Sequence, residues 1–182
     1  MTRPDLKEWL PGQDATGELE ALAAVLHAAV IEGASVGFVL PFSPDDALAF
    51  WRDRVQPAVR MGARRVWVAR VEGRTVGTVQ LILDTPPNQR HRAEIAKLLV
   101  HPEARRLGIG RRLMEAAEAA ARAEGRSLLT LDTRTGDRAE PLYLSMGYIT
   151  AGVIPGYARG PNSPELEATT IMYKRLEAGR VL

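Results

Sequence analysis

Cysteine is absent from the 182-residue chain, which excludes disulfides, thiolate metal sites and a cysteine nucleophile. Aromatic residues make up only 5%, too few to interleave an extended basic face as a nucleic-acid groove requires. An excess of one charge is also lacking: 24 Lys and Arg stand against 22 Asp and Glu, a formal net charge of +2. Bulk attraction to a polyanion is thereby excluded, though a local basic patch is not. No apolar run approaches the ~18 residues of a membrane span. The charged stretch Met1–Trp9 lacks the apolar centre of a signal peptide. The expectation is a cytoplasmic protein with neither nucleic acid nor membrane as partner. What is present is an ordinary globular composition, 46% hydrophobic and 25% charged, suited to one domain over residues 1–182 with a sizeable core at about 18–176.

Residues 1–13, with Pro4, Pro11 and Gly12, read as an irregular lead-in or one short edge strand. From Glu18 to Glu32 the residues Leu19, Leu22, Val25, Leu26, Ala29 and Val30 recur at threes and fours, a helical stripe ended by Gly33. Ser43-Pro44-Asp45-Asp46 combines a hydroxyl cap, a first-turn proline and acids at the positive helix end. It predicts a second helix to about Arg54, with a kink or stop near Pro57. The period then becomes two. Val66–Val71 and Thr75–Leu83 flank Glu72-Gly73 and predict a hairpin, Asp84–Gln89 reads as loop, and Ala93–Val100 reads as a strand. A helix follows from about Gly108 to Glu124, its solvent face supported by the pairs Arg111/Glu115 and Glu118/Arg122. Ser127–Thr133 reads as a buried strand, Ala139–Met146 as a short helix and Tyr148 as the start of another strand. A Pro/Gly-rich loop at 155–165 then precedes a last strand, Thr169–Leu176. This order predicts an α+β (mixed α/β) fold, a sheet layered with helices.

The chemistry concentrates in Val100-His101-Pro102-Glu103-Ala104-Arg105-Arg106-Leu107-Gly108-Ile109-Gly110-Arg111-Arg112. A strand ends, a turn rich in Arg and Gly follows, and a helix begins. Main-chain N–H groups at a helix start lack internal partners and sit at the positive dipole end, which suits a phosphate. Glycine admits a close approach, and the four arginines between 105 and 112 add charged donors. A Walker loop would need Lys and Ser/Thr where Arg111 and Arg112 stand, and the dinucleotide fingerprint would need glycine at Leu113. Both fail. The pattern that fits is Arg/Gln-x-x-Gly-x-Gly/Ala, carried by Arg105, Gly108 and Gly110. Among acids, Glu94 and Asp132 interrupt otherwise apolar strands, where an acid is uncommon unless paired or functional. Glu94 could equally pair with Lys97, Arg92 or Arg134, and Asp132 could organise the turn after its strand. Trp51, Trp67 and Phe50 read as core, His27 as structural, and His91 and His101 as surface residues. Neither the spacing nor the partners of any residue suggests a metal site.

With its preceding strand, its following Ala-rich helix and the segment from Ala139 to Tyr148, this loop resembles that of the GCN5-related N-acetyltransferase (GNAT) superfamily. The segments Gly33–Phe38, Arg92–Val100, Leu131-Asp132-Thr133 and Pro155-Gly156-Tyr157 resemble in particular its tabtoxin-resistance branch. The resemblance implies a mostly antiparallel central sheet, splayed between its fourth and fifth strands and flanked by helices. It implies acetyl-CoA as cosubstrate, held by the main chain of Leu98, Leu99 and Val100 and by the turn Arg105, Arg106, Leu107, Gly108, Ile109, Gly110 and Arg111. Acetyl would pass directly to an amine in a ternary complex, which agrees with the missing cysteine. Glu94 and Asp132 are then the candidate bases, possible through a water, and Tyr143 the acid for the leaving thiolate; Glu94 could instead bind the acceptor's ammonium. A strand N–H near Leu99 would face the developing oxyanion. Ser35, Val36, Phe38, Arg134 and Tyr157 would line the acceptor side. The implied acceptor is a small-molecule amine, antibiotic or amino-acid-like, including tabtoxinine-type β-lactams, on a monomer or homodimer. A peptide N-acetyltransferase and a non-catalytic acyl-CoA-binding module are the alternatives.

Overall fold

The computed structural model describes residues 4–12 and 15–176; residues 1–3 and 13 of the expected lead-in lie outside them. A seven-stranded sheet runs in the order β1-β2-β3-β4-β5-β7-β6. Its strands are β1 (Asp5–Glu8), β2 (Arg64–Val71), β3 (Arg74–Ile82), β4 (Arg92–Val100), β5 (Leu128–Arg134), β6 (Ile149–Arg159) and β7 (Leu166–Arg175). The β4–β5 pair is parallel and the other neighbours are antiparallel. The expected mixed α+β fold is therefore the observed one, and the lead-in supplies a short edge strand.

Helices cover both faces. The stripe of α1 (Ala15–Ile31) packs with Trp9, Phe42, Trp51, Val55, Val66 and Val68 in one core. The helix stops where Gly33, at φ +91°, takes the left-handed conformation, with its N–H on Val30 O at 2.9 Å. On the other face, α4 (Ile109–Ala123) buries Ile109, Leu113, Met114, Ala117 and Ala121 against Val79, Leu81, Ala93, Leu129, Met172 and α5 (Glu140–Ser145).

Three expectations are corrected. First, the helix begun by the Ser43/Asp46 capping box as α2 (Pro44–Phe50) does not end at about Arg54; of the kink or stop expected near Pro57, the stop is absent. A π turn at Trp51–Val55 closes with Gln56 N–H on Trp51 O, and α3 (Gln56–Arg60) continues with Pro57 in its first turn. Proline is tolerated there because no i−4 bond is required of it. Second, residues 155–165 are not one loop. The strand β6 runs to Arg159 through a register break between Ile154 and Ala158, so Pro155 and Gly156 fall in the bulge of an edge strand, where a missing N–H is harmless. Third, Glu118 is not on the solvent face of α4. It is 4% exposed and accepts a hydrogen bond from Lys174 Nζ at 2.7 Å, with Arg122 more distant at 3.5 Å. Arg111 meets Ser145 Oγ at 2.7 Å rather than Glu115.

Two departures from regular sheet geometry position the functional cleft. Parallel pairing of β4 with β5 covers only Arg92, Ala93 and Glu94 against Leu128, Leu129 and Thr130. Beyond that, β5 continues with β7 while Ile95–Val100 pairs only with β3. The strands splay apart. In addition, β4 carries one extra residue between its pairings Ala96↔Gln80 and Leu99↔Thr78, a bulge at which Lys97 adopts φ +50°. The bulge switches the faces. Ala93 and Ile95 enter the α4-side core, whereas Leu99 enters the α1-side core and Leu98 and Val100 take over the first face.

Candidate active site

A cavity of about 1530 Å³ occupies the splay. It exceeds the ~300–1,000 Å³ that one drug-sized ligand occupies, so a long ligand and a second molecule fit together. Its walls include Ile95–Val100 of β4, Asp132–Arg134 of β5, the turn before α4, the start of α5 and the segment 32–37 after α1.

At one end lies the turn 105–111. Arg106 at φ +63° and Gly108 at φ +72° bend the chain left-handedly twice within three residues. Among the described residues, none of the main-chain N–H groups of Arg106 to Arg111 donates to a backbone acceptor. The first to do so is Arg112 N–H, on Gly108 O at 3.2 Å. Six consecutive free donors at the positive end of a fifteen-residue helix form a cradle for an anion. A Cβ on Gly110 would come within 3.3 Å of Leu142 Cδ2, so glycine here lets α4 and α5 close up. Arg105 donates to Glu32 at 2.5 Å and to Val100 O at 3.4 Å, and Arg106 lines the cavity. Two of the expected contributors turn elsewhere: Arg112 donates to Pro4 O behind the turn, and the Leu107 side chain is outside the cavity lining. Ile109 is buried in the core, so only its main chain is available.

Midway along, Tyr143 is 6% exposed and its ring lies 5.9 Å from that of Tyr148. Burial pushes its phenol well above the usual range, and the charges of Asp137 and Asp132 add to the effect. A phenol so placed stays protonated at neutral pH and can give up a proton only to a strong base beside it. Glu94 lines the cavity from β4, half-buried. Asp132 lines it from β5 but is exposed, because the splay opens on its side. Among the described residues its one side-chain hydrogen-bond partner is Thr169 Oγ1, which donates at 3.5 Å.

The acceptor side departs from expectation in three ways. Ser35, Val36 and Tyr157 line the cavity, but Phe38 stands behind the lining, packed on Phe42 and Phe50 at 4.6 and 5.2 Å between centroids. Phe50, read as core, reaches the cavity instead. Arg134 does line it, yet its guanidinium is engaged with Gly33 O at 3.1 Å, Asp137 at 3.3 Å and Glu167 at 3.4 Å. It ties three walls together rather than presenting an open charge. Trp51 and Trp67 are core as expected, His27 stacks on Phe42, and neither His91 nor His101 lines the cavity.

The sequence reading missed Lys97 as a site residue. The bulge directs it into the cavity, with Nζ 5.9 Å from the Phe50 centroid and 6.0 Å from that of Phe38. Burial lowers its pKa and nearby Arg64 lowers it further, against the opposing pull of Asp132 and Glu94. The hint in the sequence was a lysine within the otherwise apolar run Ile95–Val100, and the residue reads equally well as a partner for Glu94.

Comparison with known proteins gives a consistent answer. The model of the Acetyltransferase (GNAT) family matches residues 34–148. The chain is 33% identical over 128 residues to an N-acetyltransferase of the hisH-hisA intergenic region of Azospirillum brasilense, covering 69% of this chain and 74% of that one. The fold matches yncA of Salmonella typhimurium, an acetyltransferase solved with acetyl-CoA, at a TM-score of 0.76, 18% identity, and 97% and 95% coverage of the two chains. It also matches a ribosomal-protein-alanine N-acetyltransferase of Brucella melitensis, at 0.74, 26% identity, and 90% and 98% coverage. The chain belongs to the GNAT family of acetyltransferases, enzymes for which acetyl-CoA is the cosubstrate.

Proposed function

We propose that this acetyltransferase moves acetyl from acetyl-CoA to the amine of a small molecule by direct attack within the splay. The observation that carries the reading is the junction of three features at one cavity: a β4 edge without a β5 partner, the turn 106–111 whose main-chain N–H groups have no backbone acceptor and whose residues, Leu107 apart, line the cavity, and the buried phenol of Tyr143. The donors 106–111, with Arg105, Arg106 and Arg111, hold the diphosphate. The main chain of Leu98, Leu99 and Val100 receives the pantetheine amides as a neighbouring strand would. Bound acetyl-CoA supplies the activated acyl group.

The chain's own residues do the rest. Glu94 and Asp132, on opposite lips of the splay, take the proton of the incoming ammonium, directly or through a water. The N–H near Leu99 faces the charge that develops on the carbonyl oxygen as the N–C bond forms. Tyr143 protonates the departing sulfur as the C–S bond breaks. Ser35, Val36, Phe38, Arg134 and Tyr157 shape the acceptor end, Phe38 by backing Phe50 and Arg134 by bracing the walls. Antibiotics and amino-acid-like compounds, tabtoxinine-type β-lactams among them, are the first acceptors to try. We propose a single domain acting in the cytoplasm as monomer or homodimer, without nucleic-acid partners.

A peptide acceptor is the second reading, favoured by the ribosomal-protein-alanine acetyltransferase among the matching folds. A thiol-release screen with acetyl-CoA, run against amino acids, polyamines, aminoglycosides, tabtoxinine-like lactams and N-terminal peptides, separates the two. Turnover confined to peptides refutes the small-molecule reading.

A further inference from the structure

Four of the charged side chains that line the cavity stand without a close ion-pair partner. Arg64, Glu94, Lys97 and Asp132 all face it, and among the described residues none of them forms an ion pair. The sheet register explains why. Arg64 pairs with Ile82 and Ile82 with Glu94, so Arg64 and Glu94 stand in one row two strands apart, about 10 Å between backbones. The bulge carries Lys97 off that row.

The cationic part of the set has unspent donors. Arg64 spends one nitrogen on a neutral partner, Gln80 Oε1 at 2.6 Å, while its Nε is buried without a partner, as is Gln80 Nε2. Lys97 has aromatic faces near it but no hydrogen-bond acceptor among the described residues. Buried charges and donors in this condition are costly unless something pairs them. Other cations of the molecule are paired: Lys174 with Glu118 and Arg65 with Glu8, and within the cavity wall itself Arg134 with Asp137 and Glu167. Arg64 and Lys97 lack such a partner, and they line the cavity that a second molecule must enter.

From this arrangement, and resting on the acetyltransferase reading above, we infer that the acceptor carries a carboxylate beside its amine, received by Lys97 and Arg64 while the ammonium faces Glu94 and Asp132. A zwitterion of that kind satisfies both signs at once, whereas a plain amine or a polyamine adds positive charge beside two unpaired cations. Lys97 and Arg64 are thus specificity residues.

The test uses the protein loaded with coenzyme A and calorimetric binding of the proteinogenic amino acids. Each is compared with its amide, which is isosteric but uncharged, and with its decarboxylated amine. A charge-assisted contact of ~1.5–3 kcal/mol makes the preferred acid bind about 10- to 100-fold more tightly than its amide. Lys97→Met, which keeps the stem of the side chain, and Arg64→Gln each shrink that ratio by about tenfold, while thermal unfolding reports whether the variant is folded. Equal binding of acid and amide overturns the inference, as does failure of every acid to bind. It is also overturned if Lys97→Met lowers kcat for all acceptors alike and removes one limb of the pH–rate profile, because Lys97 then acts on the proton rather than on the carboxylate.

Thiol release on the same panel keeps the two readings apart. Transfer without acid preference sinks the carboxylate site and leaves the acetyltransferase reading standing. Acid preference in binding without any transfer supports the carboxylate site and sinks the small-molecule acceptor.

Discussion

Replacing Gly108 tests the anion cradle most directly, because stability and binding separate cleanly at this position. The residue caps α4 in the left-handed region at φ +72°, and an added Cβ would meet nothing within 4 Å. Gly108→Ala therefore carries only the conformational penalty of an L-residue at positive φ, about 1–2 kcal/mol. For a chain of this size that lowers Tm by roughly 2–4 °C for each kcal/mol. Gly108→Glu carries the same penalty and also places a carboxylate beside the six free N–H groups. At about 5 Å and an effective dielectric near 20, one unit of like charge costs roughly 3 kcal/mol, reduced by solvent because the turn is exposed. Coenzyme A should then bind about 10- to 100-fold more weakly to Gly108→Glu than to Gly108→Ala, although the two unfold at similar temperatures. The difference should narrow as salt is raised, and it should vanish for pantetheine, which has no diphosphate. Calorimetry that found coenzyme A binding equally to both variants would refute the cradle.

Other consequences are open to measurement. Tyr143→Phe keeps the ring tilted against that of Tyr148 and removes only the hydroxyl, so kcat falls at least ~10-fold while coenzyme A affinity holds; a parallel loss of both would remove Tyr143 from the acid role. Glu118→Ala strips the partner from Lys174 in a buried setting and should cost about 3 kcal/mol, seen as a lowered urea midpoint at unchanged slope; a change below ~1 kcal/mol would mean the ammonium finds water. Burial holds the phenols of Tyr143 and Tyr148 above their ordinary value of 10.0 in the fold. Their contribution is thus complete below that value and is lost as pH rises toward the folded values, and phenolate absorbance at those two residues should appear together with unfolding. Lys97 has the opposite sign. The fold lowers its pKa from 10.5, so the folded chain binds fewer protons than the unfolded one below that pH, and stability drops as pH falls through the lowered value. Lys97→Met should therefore be more stable than the parent near neutrality, with the advantage shrinking toward pH 10.5; equal stability across the range would place the ammonium in solvent.

What could be read from the sequence and what could not divide along a physical line. Elements set by local patterns were legible: the α1 stripe, the Ser43 capping box, the Glu72-Gly73 hairpin and the strand–turn–helix at Val100–Leu113 all carry their determinants within a few residues. Features decided by what pairs with what were not. Pro155-Gly156 reads as loop in any window, and only the outer position of β6, with no further strand to satisfy, lets the pair sit in a bulge. Pro57 reads as a kink or stop, and the π turn before it is what lets the helix continue. Glu118 at i,i+4 from Arg122 reads as a surface pair, and only packing against β7 turns it toward Lys174.

The bulge at Lys97 is the case where this limit bears on function. Strict alternation from Ala93 would send residues 93, 95, 97 and 99 to one face, and a lysine on that face would be buried in the α4-side core. One inserted residue, at φ +50°, resolves the conflict. Leu99 crosses to the α1-side core, Leu98 and Val100 replace it, and the lysine comes out into the opening that the missing β4–β5 pairing leaves. Removing the bulge by deletion would restore alternation, but at the cost of burying Lys97 and reversing Leu98, Leu99 and Val100 together. The same residue count therefore sets the edge offered to the cosubstrate and the side chain offered to the acceptor, so a change in the bulge's length alters both, whereas Lys97→Met alters the charge alone.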